Sequence, residues 1–150
     1  MRSIVISLVL VLLMSANCLS HTQANCRHAD WIAPAWEMAK RESQRSLPER
    51  YRPLIDKLTP PETHWQCGPL MKMRSDGTTA SYAGATTVTI DGRGNMTILI
   101  EIGALGDDGE DFSSLVHEDQ HAIAAMLPLT AAEALANEIY VDIVWAWGAK

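Results

Sequence analysis

Three stretches with different hydrophobic periods predict an α+β domain. Residues 30–45 carry apolar side chains at helical spacing. Residues 85–102 alternate with a period of two on either side of a turn. Residues 112–147 return to helical spacing, with one break. The expected order is N-terminal helices, then a β-hairpin or small antiparallel sheet, then two consecutive helices.

The first residues read as a secretory signal. Arg2 supplies a basic start, and Ile4 to Met14 is a nearly unbroken apolar run, too short to span a bilayer as a mature helix. Cleavage is expected near Ala24, with Ala16 and Ser20 as alternatives. Lipid attachment at Cys18 is disfavoured by Asn17 just before it. The implied location is secreted or periplasmic, with no stable membrane span after cleavage. Removing residues 1–24 takes away Arg2 alone among the charged residues, leaving 11 basic against 18 acidic side chains, a net charge of −7. That balance argues against nucleic acid or an anionic membrane surface as the main partner. Residues 25–150 are enough for one domain and one core, with residues 25–84 as a less defined N-terminal subregion. Cys26 and Cys67 remain, and in an oxidising compartment they are expected to form one disulfide. In the chain-entropy model it would stabilise by about 4 kcal/mol.

Asp30 to Arg45 forms the first expected helix, with Asp30 as N-cap, Pro34 near the first turn, and an apolar side made by Trp31, Ile32, Ala35, Trp36 and Met38. A second short helix is expected over Pro53 to Leu58, stopped by Thr59-Pro60-Pro61. Residues 59–81 read as loop. Ala85 to Ile90 and Met96 to Ile102 are the strands of the hairpin, joined by Asp91-Gly92-Arg93-Gly94-Asn95. Gly103 to Asp111 reads as a solvated acidic loop without EF-hand spacing. A helix follows from Phe112 to Met126. Leu127-Pro128-Leu129 interrupts it, and the capping box Thr130-Ala131-Ala132-Glu133 starts the last helix, which ends near Gly148.

The chemistry lies in His117-Glu118-Asp119-Gln120-His121, an H-E-x-x-H pentad on the first of these two helices. Residues i and i+4 share a face, so both imidazoles reach one Zn²⁺ and Glu118 is close enough to serve as general base toward an activated water. A catalytic zinc takes a third protein ligand, and the last helix offers Glu133 and Glu138. The capping box already uses Glu133. Asp119 lies about 10 Å before the corner between the helices, Glu138 about 12 Å after it and Glu133 only about 4–5 Å after it, at 1.5 Å per residue. Glu138 is therefore the expected ligand. Asp142, one turn further on the same face, is the expected carboxylate behind a ligating histidine. Both acids sit in an apolar run, which argues against a simple solvated face. Tyr82, Tyr140 and His64 are conceivable oxyanion donors, each with a structural role as the alternative.

The pentad followed by Asn137-Glu138-Ile139-Tyr140-Val141-Asp142 resembles the gluzincin pattern, H-E-x-x-H and then N-E-x-x-x-D, of thermolysin-like and minimal single-domain zinc metallopeptidases. The resemblance covers residues 85–145. It implies a zincin-like domain, zinc held by His117, His121 and Glu138, and a hairpin whose edge strand binds an extended peptide or protein substrate. The leading expectation is therefore zinc-dependent peptide-bond hydrolysis. A non-catalytic, zinc-stabilised peptide-binding module is the alternative, suited to the small size of the chain.

Overall fold

The computed structural model describes residues 27–148, with side chains described as far as Ile143. The expected signal segment and Cys26 lie outside that range. The fold is α+β, as the periods predict. After a 3-10 turn at Ala29–Trp31, α1 spans Ile32–Ser46. A second 3-10 turn, Glu49–Tyr51, leads into α2 at Arg52–Ile55. Five strands follow: β1 (Glu62–Cys67), β2 (Leu70–Met73), β3 (Thr79–Tyr82), β4 (Gly84–Ile90) and β5 (Met96–Ala104). Two long helices complete the chain, α3 (Asp108–Met126) and α4 (Ala131–Gly148). Among the described residues no helix is long and apolar enough to cross a membrane.

The hairpin is present. β4 and β5 pair antiparallel, from Gly84 opposite Ile102 to Ile90 opposite Met96. Asp91 holds the turn by accepting from the backbone N–H groups of Arg93 and Asn95 and from the Asn95 amide. Gly94 there has φ +83°, a conformation that glycine adopts without a Cβ clash. The segment expected to be loop over 59–81 departs from the sequence reading, because it forms three short strands. β1 runs parallel to β5 in a sheet of order β1-β5-β4, and β2 and β3 form a separate ribbon. β4 is thus an edge of its sheet, and β5 is the centre. Cys67 ends β1 and is not a free thiol.

The core follows from the alternation in β5. Ile98, Ile100 and Ile102 point inward against Leu115, Val116 and Ile123 of α3, and Trp36 and Ala39 of α1 close the other side. Trp36 also donates its indole N–H to the Leu58 carbonyl (3.2 Å), tying α1 to the chain after α2. Gly103 is required at one crossing: a Cβ there would lie 2.7 Å from the Gly68 carbonyl oxygen and 2.8 Å from the Leu70 nitrogen.

Two helix starts differ from the sequence reading. Asp30 is not the N-cap of α1; it lies inside the preceding 3-10 turn, and Trp31 occupies the cap with no side-chain hydrogen bond. The acidic stretch 103–111 is not a solvated loop. Its first two residues finish β5, and α3 begins at Asp108 rather than Phe112. Asp107 caps α3 by accepting from the N–H groups of Gly109 and Glu110. Asp111 is buried, and its carboxylate accepts from the N–H groups of Leu105 and Gly106. Asp107 therefore satisfies two orphan donors at the positive end of α3, while Asp111 reaches back to hold the loop that enters it, and together they fix the start of the helix that carries the pentad.

Candidate metal site

The pentad lies in the middle of α3, between the edge strand β4 and α4. Leu115, Val116, Ala122 and Ile123 face the core, which turns His117, Glu118 and His121 toward the gap between those two elements. The imidazoles meet: His117 Nε2 and His121 Nε2 are 2.9 Å apart, with the ring planes at 76°. Both rings are mostly covered, with 25% and 17% of their side chains exposed. Burial, reinforced by the neighbouring His121, pushes the His117 pKa down to about 4, with Asp142 opposing the shift. A neutral imidazole keeps a lone pair for a cation.

Each histidine faces one acid from α4. Glu138 Oε2 is 3.2 Å from His121 Nδ1, and Asp142 Oδ1 is 3.9 Å from His117 Nε2. His117, His121 and Asp142 offer three ligand atoms all within 4.8 Å of one another. Two imidazole nitrogens and a carboxylate oxygen are donor types that a divalent cation such as Zn²⁺ accepts. The apolar run around the two acids does not bury them. Their side chains are 56% and 64% exposed, and Ile139 and Ile143 also face outward, while Asn137 and Val141 turn inward.

Glu133 performs the local role expected of it. It accepts from the Thr130 N–H, and its own N–H donates to the Thr130 hydroxyl. It also takes the Tyr51 hydroxyl (2.7 Å) and the Arg50 guanidinium, which pins the start of α4 to the turn before α2. The Thr130 backbone and Tyr51 hydrogen bonds, aided by Arg50, hold its pKa down to about 2.

Glu118 is almost wholly buried. The Thr86 hydroxyl on β4 lies 2.7 Å from Glu118 Oε2 and 3.0 Å from the Glu118 carbonyl oxygen. Burial raises the Glu118 pKa above the usual carboxylate range, and the Thr86 hydrogen bond works against that rise. Gly84 makes the close approach possible: a Cβ there would be 2.6 Å from Glu118 Cγ and 2.9 Å from its Oε1. Thr86 and Gly84 are the site residues that sequence reasoning did not identify. Period-two alternation reports which face a strand residue occupies, and carries no signal of a helix side chain lying against it. Next in the pentad, burial and the Glu118 charge push Asp119 up to about 8.

A cleft runs along β4 past these groups. On one side a cavity of about 640 Å³ is bounded by Lys72, Thr86, Val88, His121, Ala125 and Glu138. On the other, about 460 Å³ is bounded by Leu105, Glu110, Ser114, His117 and Asp142. Tyr82, Gly84 and Glu118 border both. Of the three conceivable oxyanion donors, only Tyr82 borders this cleft. His64 pairs with Glu62 on β1, which β5 separates from β4. Tyr140 lies beside Glu42 of α1.

No protein-family model matches this sequence, and neither a characterised protein nor a solved structure was found to resemble it.

Proposed function

We propose that this protein is a zinc-dependent metallopeptidase that hydrolyses peptide bonds in a segment lying along the β4 edge. The observation that carries the reading is the meeting of His117 Nε2 and His121 Nε2 at 2.9 Å beside a carboxylate of α4, with Glu118 opening into the same cleft. A helix face with two incidental histidines has no reason to combine these features. Bound there, zinc supplies the Lewis acid that polarises a scissile carbonyl and lowers the pKa of a water.

The chain's own groups do the rest. β4 has an unpaired edge in its sheet, so an extended peptide can add to it through backbone hydrogen bonds. Glu118, held by the Thr86 hydroxyl, takes a proton from the attacking water as the new C–O bond forms. It returns that proton to the amine nitrogen as the C–N bond breaks. Tyr82 borders both halves of the cleft and is the oxyanion donor in this reading. This reading puts the site of action outside the cytosol, where the expected secretory signal would direct the chain and the expected Cys26–Cys67 disulfide would persist.

The test is digestion of an unfolded protein such as reduced casein, by wild type and by Glu118→Gln, with bound zinc measured on both. The reading predicts one zinc in each and cleavage by wild type alone. Zinc without cleavage in either would make the protein a zinc-stabilised binding module. Equal cleavage by both would remove Glu118 from the reaction.

A further inference from the structure

The two carboxylates of α4 do not face the histidines in the roles that helix arithmetic assigns them. Arithmetic makes Glu138 the metal ligand and Asp142 the residue behind a histidine. It compares heights along two helices, and is blind to which nitrogen of an imidazole a carboxylate meets.

The two ring nitrogens of an imidazole point away from each other, so one ring cannot direct both at the same ion. His121 turns Nε2 toward His117 Nε2, and Glu138 lies 3.2 Å from the opposite nitrogen, Nδ1. Glu138 therefore stands behind the His121 ring as seen from the meeting point of the imidazoles. A carboxylate at Nδ1 accepts the N–H there and leaves the lone pair on Nε2, which is the tautomer a ligating histidine needs. Asp142 has the opposite placement. Its Oδ1 is 3.9 Å from His117 Nε2, the nitrogen that faces His121, so it lies on the side of the His117 ring where the two imidazoles meet. It cannot fix the tautomer of His117 through Nδ1 from there. Ligand atoms about 2.0–2.1 Å from a tetrahedral zinc lie roughly 3.3–3.4 Å apart, which a small inward movement of Asp142 reaches.

We propose that Asp142 is the third protein ligand of the zinc and that Glu138 is a positioning residue that orients His121. The assignment rests on the zinc site proposed above and reverses the roles that helix spacing assigns to these two acids. Both side chains are more than half exposed, so replacing either leaves the core intact.

The experiment measures zinc affinity by chelator competition for untagged wild type, Asp142→Asn, Glu138→Gln and Glu138→Ala, with circular dichroism as a check on folding. Loss of a ligand should weaken binding by more than about 100-fold, and loss of an orienting carboxylate by roughly 10–100-fold. Asp142→Asn is expected in the first class and Glu138→Ala in the second. Glu138→Gln, which keeps an acceptor for the Nδ1 proton, is expected to recover most of what Glu138→Ala loses. Loaded wild type should also show a slowly exchanging His121 Nδ1 proton by NMR that Glu138→Ala abolishes. Zinc lost with Glu138→Gln but kept within tenfold by Asp142→Asn would overturn the assignment, as would equal losses in the two. Failure of wild type itself to bind zinc would instead overturn the metal site, and that outcome is read before any variant.

Discussion

Glu138 Oε2 lies 3.2 Å from Nδ1 of His121, while Asp142, one turn further along α4, lies beside Nε2 of His117. Moving one turn toward the start of α3 thus moves one turn toward the end of α4. This is the pairing expected of a chain that reverses at the Leu127–Thr130 corner. The corner is held from outside by Glu133, Tyr51 and Arg50, so the placement of the acids depends on residues more than 80 positions earlier in the chain.

Glu118 depends on an empty space opposite it. Gly84→Ala would place a methyl 2.6 Å from Glu118 Cγ, and the flexible side chain gives way before the strand does. Peptidase activity should fall by about 100-fold, the usual scale for a reacting group displaced by an ångström, with zinc affinity nearly unchanged. Full activity in the alanine variant would show that the position of Glu118 does not matter to the reaction.

Thr86→Val removes the hydroxyl that Glu118 holds while preserving shape and β propensity. The expected result is a lower kcat with zinc binding intact, and an outcome confined to zinc binding would contradict the role given to Thr86. The paired variant Thr86→Ser keeps the hydroxyl and should retain most of the activity.

Gly103→Ala tests the fold rather than the site. The added methyl would press on the Gly68 carbonyl oxygen and the Leu70 nitrogen, backbone atoms that cannot rotate away. Overpacking of this kind costs about 1–3 kcal/mol, read as a lower urea midpoint at unchanged slope. No change would mean that the 68–70 segment moves freely over β5.

The Glu133 network gives a pH signature. Its pKa is held down to about 2 in the folded chain, below the ordinary carboxylate value it regains on unfolding. A depressed folded pKa contributes stability above the unfolded value and loses it as pH falls through the folded one. The melting-temperature gap between wild type and Glu133→Gln should therefore be full at pH 7 and close between about pH 4.5 and pH 2. A gap that widens on acidification has the wrong sign for this network. Tyr51→Phe removes hydrogen bonds to Glu133 and to the Pro128 carbonyl from a buried hydroxyl, and should cost about 1–2 kcal/mol.

What was legible in the sequence was local. Asp91 to Asn95 carries its turn chemistry within five residues, Thr130 and Glu133 cap each other across three, and the pentad sets two imidazoles on one face through helix geometry alone. The pairing of β1 with β5 was not legible. Glu62 to Cys67 mixes polar and apolar residues without clear alternation, and its partner strand begins some thirty residues later. The burial inferred for Glu138 and Asp142 failed for a related reason. Apolar neighbours along a helix point around its whole circumference, and Ile139 and Ile143 proved to face outward. Asp30 and Asp111 show the same limit at helix ends. An acid near a start signal can cap, or can hold the approaching loop instead, and only the path of the chain decides which.

The most direct test of the account is the zinc content of protein prepared without an affinity tag, measured by atomic emission for wild type and for His117→Ala. About one tightly held zinc per chain is expected in wild type, and its loss in the variant. Wild type that carries no zinc after incubation with the metal, or His117→Ala that holds it as firmly as wild type, would contradict it.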